Sequence, residues 1–297
     1  MISLRKALLA VAPYGLVTMW RSHYKYNGRQ HASADHLSQQ RFAFHGERYR
    51  RIAACEKLKQ NASIRGDDLE EVVGFLRARG IDEKQVRDGS IPASSLECIK
   101  RIIHDTFATR GAIAALHIGN FVGVSFAFLA TVLSEMDHGS LAVSVDPNVA
   151  HRGVLNPQAH VSALLTACGV QRNTMMIAGY SGGKSISNDG LIFEGYDPEA
   201  EFINEHACEG VLKHLGRLCG RRFDVVVMDG NHEASYLVRE LELIVPLLTS
   251  GALVILDDVD TAWSEIRDVF NRIDDSGLKP LSTDGRIGVA RFAPVAA

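Results

Sequence analysis

The sequence predicts an α/β fold: a doubly wound, mostly parallel sheet with a C-terminal antiparallel hairpin, preceded by a helical region. Three observations support this prediction. Beyond about residue 110, short apolar runs alternate with segments of helical apolar spacing, as in a parallel sheet covered on both faces. Four of those runs end in glycine or aspartate. The last two runs flank the turn-rich segment 282–285, which favours a hairpin.

The chain of 297 residues is long enough for one large domain with an accessory region. We expect a helical accessory region with a basic leader over 1–110 and the α/β domain over 111–297. In the accessory region, Asp68 precedes a segment of helical spacing, and Ser94 with Glu97 has the spacing of a capping box. No catalytic constellation stands out in this part.

The elements of the second part follow from its apolar runs. Strands are expected over 112–118, 141–145, 174–178, 223–228 and 252–256, and a hairpin over 278–281 with 287–292. Helices are expected after the first, second, fourth and fifth strands, the clearest over 237–248, whereas a glycine-rich polar stretch follows the third strand. Ligands bind beyond the carboxyl ends of such strands. The candidate site is therefore built on Gly119, Asp146, Asp229 and Asp257.

Composition and charge exclude several classes of protein. Hydrophobic residues make up 46% and charged residues 23%, which excludes wholesale disorder. No apolar run approaches the roughly 20 residues of a membrane span, and segment 7–19 is too short for a span and has no cleavage site of a signal peptide. The five cysteines form no CxxC pair, which favours a reducing cytoplasm.

The basic leader has two interpretations. Residues 1–60 carry 11 Lys and Arg against 3 Asp and Glu, whereas the rest of the chain is acidic. The leader is either a solvated helical arm or a peripheral contact with an anionic membrane surface or a lipid-linked substrate. Nucleic acid is not expected as a partner, because no aromatic residues are interleaved with the basic ones in a recognisable motif. Oligomeric state is left open, including a homo-oligomer.

A glycine-containing turn follows the first strand. Gly119 and Gly123 stand four residues apart between a strand and a helix, which lets the backbone approach a ligand and exposes helix N-terminal N–H groups. The alternative is that these glycines only form a tight turn. Asp146 ends the second strand, where a carboxylate can accept both hydroxyls of a ribose. Its alternative role is that of a helix-cap or turn aspartate.

The GxxxGxS spacing from Gly119 to Ser125 resembles class I S-adenosylmethionine-dependent methyltransferases, within them the macrocin-type and cephalosporin-hydroxylase-like O-methyltransferase branch. The resemblance covers about 112–292. It implies a Rossmann-like fold and S-adenosylmethionine as cofactor. The residues it implies for cofactor binding are His117, Gly119, Asn120, Gly123, Ser125, Asp146, Gly179, Ser181 and Asp229. His117 stands where these families usually carry an acidic residue.

Three carboxylates, Asp229, Asp257 and Asp258, would crowd together at neighbouring strand ends, and a divalent cation with oxygen ligands would relieve their repulsion. They match the magnesium ligands of catechol-type O-methyltransferases, so the resemblance implies Mg²⁺ or Mn²⁺ here. The alternative is that the pair after the fifth strand caps the next helix. His232 lies about where the catechol enzymes place their base, and a neutral imidazole can take a proton from a hydroxyl.

The predicted function is that of a cytoplasmic, cation-assisted O-methyltransferase acting on a hydroxyl of a small molecule, sugar or glycan. A P-loop NTPase is one alternative, because 178–185 fits a relaxed Walker A pattern, although Asn188 to Gly190 is a poor helix start. A hydroxylase-like relative is another. The non-enzymatic alternative is a cofactor-binding regulatory protein with a degenerate site, suggested by His117. On the methyltransferase interpretation, the loop up to Gly195 is a substrate lid.

Overall fold

The computed structural model describes residues 64–183, 210–259 and 263–293 of the chain. The helices are α1 Leu69–Ala78, α2 Glu83–Asp88, α3 Ala93–Phe107, α4 Val124–Met136, α5 Pro157–Ala167, α6 Leu212–Cys219, α7 Ala234–Ile244 and α8 Ser264–Asn271. The strands are β1 Ala114–Ile118, β2 Leu141–Asp146, β3 Thr174–Ala178, β4 Phe223–Met228, β5 Leu248–Leu256, β6 Leu278–Thr283 and β7 Gly288–Phe292. Single 3₁₀ turns lie at Gln171–Asn173, Val245–Leu247 and Ile273–Ser276.

The seven strands form one sheet in the order β3-β2-β1-β4-β5-β7-β6. The first five strands along the chain pair in parallel, and β7 inserts antiparallel between β5 and β6. The predicted fold class, a Rossmann-like and mostly parallel sheet with a C-terminal antiparallel hairpin, is confirmed. The order of strands reverses direction at β1, between β2 and β4, which is where a ligand crevice forms in such sheets.

Alternate strand residues supply two hydrophobic clusters, one on each face of the sheet. In β1, Leu116 and Ile118 belong to one cluster and Ala115 to the other. In β4, Val226 and Val227 are divided in the same way. Both faces of the sheet are buried because helices cover them, which explains why the strand sequences are continuous apolar runs.

The helices before the sheet pack onto one of its faces. Asp68 caps α1 by accepting hydrogen bonds from two backbone N–H groups of the first turn. Val72 of α1 and Ile103 of α3 are fully buried in the cluster on that face. The capping box predicted at Ser94 is wrong: the N-cap is Pro92, two residues earlier, so that α3 begins at Ala93, and no side chain caps it. Proline already fixes φ for a helix entry and leaves one fewer N–H to satisfy.

Two predictions on organisation lie beyond what the structure describes. The basic leader and the loop 184–195 fall outside the described residues, so the membrane contact and the lid remain proposals. The described residues from 64 onward belong to one compact unit. The division at residue 110 remains an interpretation of the sequence. In the described parts of the chain, no helix is long and apolar enough to cross a membrane.

Candidate active site

A cavity of about 690 Å³ opens at the carboxyl ends of the parallel strands. Its volume is in the usual range for a small-molecule site. The predicted site residues on its wall are Gly119, Asp146, Ser181, Asp229, His232 and Asp258. The predicted residues that do not line it are His117, Asn120, Gly123, Ser125, Gly179 and Asp257. The strand ends thus bring together residues that lie more than a hundred positions apart.

The two glycines of the first turn are required by its left-handed backbone and by close neighbours. Gly119 has φ of 82°, and a Cβ there would lie 2.0 Å from the backbone oxygen of Asp229. Gly123 has φ of 92°, and its Cβ would lie 3.0 Å from Val161 of α5. Only glycine combines a left-handed φ with such close approach. The turn after β1 therefore lies directly against the end of β4, so that Gly119 and Asp229 are neighbours on the cavity wall.

Asp146 is held at the end of β2 by backbone donors. The N–H of Asn120 donates to its Oδ2 and the N–H of Asn148 to its Oδ1, both at 2.6 Å. Burial raises the pKa of Asp146, and these backbone hydrogen bonds oppose the rise. The backbone N–H of Phe121 is a third hydrogen-bond donor to this carboxylate, which has about four acceptor positions when ionised. Asp146 thus lies on the cavity wall in a fixed orientation, where the ribose hypothesis places it.

His117 lies in the core and is fully buried. Its ring packs edge-on against Phe126 of α4 with a centroid separation of 5.8 Å. Burial lowers the pKa of His117 to about 3, so the ring is neutral at physiological pH. This position, beneath the turn and away from the cavity wall, gives no support to a direct cofactor contact.

An arginine that the sequence analysis missed stands among the three carboxylates. Arg286 Nε and Nη2 donate to Oδ1 and Oδ2 of Asp257 at 2.8 and 2.7 Å. Its Nη1 lies 2.5 Å from Asp258 Oδ1. Burial and the negative charges of Asp257 and Asp258 raise the pKa of Asp229 well above its usual value, and Arg286 opposes that rise. The positive charge that the cluster needs is therefore present as a guanidinium.

The register of the hairpin explains the position of Arg286. Leu256, the last residue of β5, pairs with Gly288, the first of β7. Beyond that pair, the chain after β5 continues with Asp257 and Asp258, and the chain before β7 holds Arg286. The N–H of Val259 donates to the Arg286 carbonyl at 3.0 Å. A single arginine in a turn belongs to no sequence motif, so its place in the site becomes visible only from the pairing of β5 with β7.

The carboxylate cluster does not fit a divalent cation in this arrangement. Both oxygens of Asp257 accept from Arg286, and the two oxygens of Asp258 face Arg286 and His232. Within the described ranges, no group of three or more His, Cys, Asp or Glu has a geometry that could hold a metal ion. The cation implied by the resemblance stays a prediction.

His232 is held from two sides. Its Nε2 lies 2.5 Å from Asp258 Oδ2, and its ring stacks on Trp263 with centroids 4.6 Å apart and an interplanar angle of 18°. Asp258 itself has φ of 60°, a left-handed conformation that aspartate tolerates better than most residues. The imidazole is about one-third exposed and lines the cavity. It combines a fixed orientation with access to a ligand.

A second group of polar side chains lines the cavity at the end of β3. The Ser181 hydroxyl donates to Glu240 of α7, which is 1% exposed. The Tyr236 hydroxyl donates to the Gly183 carbonyl at 2.7 Å. Ser181 was predicted, whereas Tyr236 and Glu240 were missed, although an acidic residue within the apolar stripe of a helix was a usable signal.

The comparison with protein families identifies the class. Residues 116–259 match the family described as a methyltransferase domain. The predicted class, an S-adenosylmethionine-dependent methyltransferase, is confirmed over that range. The matched range includes the turn after β1, Asp146 and the three carboxylates Asp229, Asp257 and Asp258, whereas Arg286 lies beyond it. No curated protein matches this sequence.

Solved methyltransferase structures resemble this chain at low sequence identity. The O-methyltransferase TomG from Streptomyces achromogenes, solved with S-adenosylmethionine, is 16% identical over 76% of this chain and 89% of its own, with a TM-score of 0.48. An O-methyltransferase from Bacillus cereus, solved with S-adenosylhomocysteine, is 15% identical over 75% and 90%, with a TM-score of 0.46. MycE of the mycinamycin pathway, solved with Mg and S-adenosylhomocysteine, is 14% identical over 66% and 49%, with a TM-score of 0.41.

Proposed function

We propose that this protein transfers the methyl group of S-adenosylmethionine to a hydroxyl of a small molecule, sugar or glycan. The observation that carries the proposal is the pairing of His232 with Asp258 on the cavity wall, next to Asp229. An imidazole that is oriented by a carboxylate and open to a cavity is the arrangement of a general base. A hydroxyl needs such a base, because its oxygen is a weak nucleophile until it loses its proton.

The cavity wall offers a place for each part of the cofactor. Asp146, held by backbone N–H groups on the cavity wall, would accept from the ribose, and Ser181 lies where the adenine is expected. Gly119 brings the turn after β1 against Asp229, between those two ends. S-adenosylmethionine supplies an electrophilic methyl group on its sulfonium.

The protein's own residues then handle the proton. Asp258 lies against Nε2 of His232, so Nδ1 is the ring nitrogen left to accept the proton of the acceptor hydroxyl. The Asp258 carboxylate stabilises the imidazolium that forms, and Trp263 holds the ring plane. Positioning supplies the rest, since methyl transfer requires the oxygen to approach in line with the carbon–sulfur bond. No step of this proposal uses a divalent cation, because Arg286 already neutralises Asp257.

The test is a turnover assay that measures release of S-adenosylhomocysteine with a panel of polyols, sugars and phenols. We expect His232→Ala to lower turnover by roughly 10²–10⁴-fold while S-adenosylhomocysteine affinity is retained. His138→Ala is a matched control, because His138 is exposed just after α4, away from the cavity. It should leave both quantities unchanged.

The assay also separates the alternatives. Undiminished turnover of the His232 variant would remove the general base. Cofactor binding with no turnover on any acceptor would favour the regulatory protein, and nucleotide hydrolysis would favour the P-loop NTPase. The cytoplasmic location and a membrane contact of the basic segment 1–60 are further parts of this proposal, based on cysteine pattern and charge; sedimentation with anionic vesicles at low and high salt tests the contact.

A further inference from the structure

We infer that the guanidinium of Arg286 takes the place of a divalent cation in the carboxylate cluster, so that the site operates without a metal. The cluster consists of Asp229, Asp257 and Asp258. The inference rests on the proposed methyl transfer only for its activity measurement, because cation binding can be measured without turnover.

Arg286 already contacts the carboxylate oxygens that a cation would need as ligands. Two of its nitrogens make a bidentate pair with Asp257, and the third lies against Asp258. A bidentate arginine–carboxylate pair is both strong and geometrically specific. Asp257 has 1% of its side chain exposed, so water cannot substitute for the guanidinium. A cation that bound Asp257 would have to displace Arg286 from the same two oxygens.

The hairpin fixes Arg286 in this position. The backbone N–H of Arg286 donates to Asp284 Oδ1 at 2.8 Å, and its carbonyl accepts from Val259 at 3.0 Å. About one-third of its side chain is exposed, on the cavity side. Arg286 therefore lines the cavity. The hairpin holds its backbone, and Asp257 and Asp258 hold its guanidinium.

Arg286 also acts on the general base through Asp258. One oxygen of Asp258 faces Arg286 and the other faces His232. The guanidinium thus fixes the carboxylate that orients the imidazole. In a metal-dependent site a cation would hold the carboxylates and the substrate oxygen together. Here Arg286 is a positioning residue, and the proton is removed by His232 alone.

The decisive experiment measures cation binding by thermal unfolding of the full chain. Wild type, Arg286→Ala and Arg286→Lys are compared in Mg²⁺, in Mn²⁺ and in excess chelator, at constant ionic strength and without cofactor. Arg291→Ala is the matched control, because Arg291 lies in β7 of the same hairpin and is exposed. We expect the melting temperatures of wild type, the lysine variant and the control to be independent of the cation.

Arg286→Ala should behave differently. Its melting temperature should fall, because three carboxylates lose their counter-charge, and should rise again in a saturable way with Mg²⁺ or Mn²⁺. In the turnover assay, wild type in chelator should stay within about twofold of its rate in Mg²⁺, since no step needs the metal. The alanine variant should lose roughly 10–100-fold and regain part of it with Mg²⁺.

Two results would overturn the inference. A saturable Mg²⁺-dependent rise in the melting temperature of wild type, or loss of its turnover in chelator, would show that a cation binds beside or instead of Arg286. A folded alanine variant that binds no cation would show that the two are not equivalent. If that variant does not fold, the wild-type and lysine measurements decide. Absence of methyl transfer in every sample would contradict the proposed function and leave the cation measurement intact.

Discussion

Glu240 shows how a single buried residue can be neutral in a site that contains several charges. It lies on the buried face of α7 with Leu237 and Leu241, and the Ser181 hydroxyl donates to it. Burial raises the pKa of Glu240 to about 8, and the hydrogen bond from Ser181 opposes the rise. A carboxyl group with this pKa holds its proton through most of the neutral range. At the cavity wall it presents a polar but uncharged surface.

The raised pKa of Glu240 predicts a specific pH dependence of stability. The unfolded chain releases this proton near the ordinary pKa of 4.5, whereas the folded protein keeps it until about pH 8. Stability contributed by Glu240 is therefore present below pH 4.5 and is lost as the pH rises to 8. Relative to Glu240→Gln, wild type should lose on the order of a few kcal/mol over that interval.

Urea unfolding of both proteins at several pH values measures this difference. Glu242→Gln is the control, since Glu242 is exposed two residues further along α7. Its stability curve should run parallel to that of wild type. A Glu240→Gln curve parallel to wild type would mean that Glu240 is ionised in the folded protein.

Site residues that directly follow a strand could be predicted from the sequence. A residue that reaches the site only because two distant strands pair could not. Asp146 and His232 could be placed from their distance to an apolar run, because the end of a parallel strand is where ligands bind. Arg286 depends on the register between β5 and β7, which the sequence leaves open within a few residues. The repulsion expected among the three carboxylates predicts a positive partner, and Arg286 lies among them, but the residues alone do not distinguish a cation from an arginine.

At the scale of elements, the turn between β1 and α4 is the most constrained connection in the site. A Cβ at Gly119 would lie 2.0 Å from the Asp229 backbone oxygen, in addition to the left-handed φ of 82°. Backbone atoms cannot move aside without displacing the end of β4. The turn and the carboxylate cluster are therefore mechanically linked.

Gly119→Ala should accordingly destabilise the fold by roughly 3 kcal/mol or more, because it adds a backbone clash to the strain of a positive φ. Gly80→Ala separates the two effects. Gly80 has a similar φ of 87° but no atom within 4 Å of its Cβ position. That control should cost only about 1 kcal/mol. Equal losses in chemical denaturation would mean that the close approach to Asp229 is absent.

The sequence predicted best those elements whose bounds are marked by the residues immediately around them. β3 and β4 have the predicted bounds, because each is an apolar run between polar breaks. β5 begins earlier than predicted, at Leu248, since the chain resumes pairing with β4 around an irregularity near Phe223. α6 was missed, although Leu212 and Leu215 have helical spacing and both are buried. Its short length gave too few turns for the pattern to stand out.

Across the described parts of the molecule, the parallel sheet places residues that are far apart in the sequence next to one another at one edge. The turn after β1, Asp146 at the end of β2 and Ser181 after β3 line one side of the cavity, and Asp229 and Asp258 of the carboxylate cluster line the other. On the proposed function, the first side would hold the nucleoside of the cofactor and the second would carry out proton transfer. We expect the first side of the cavity to bind an adenosine-containing methyl donor.

Calorimetric titration with S-adenosylhomocysteine tests that claim most directly. We expect saturable binding to wild type, and loss of most of the affinity in Asp146→Ala, because the change removes the carboxylate that we propose for the ribose and that Asn120 and Asn148 hold in place. Asp137→Ala, a change just after α4 and away from the cavity, should bind as wild type does. Binding of ATP or NAD by wild type, with none of S-adenosylhomocysteine, would contradict the account.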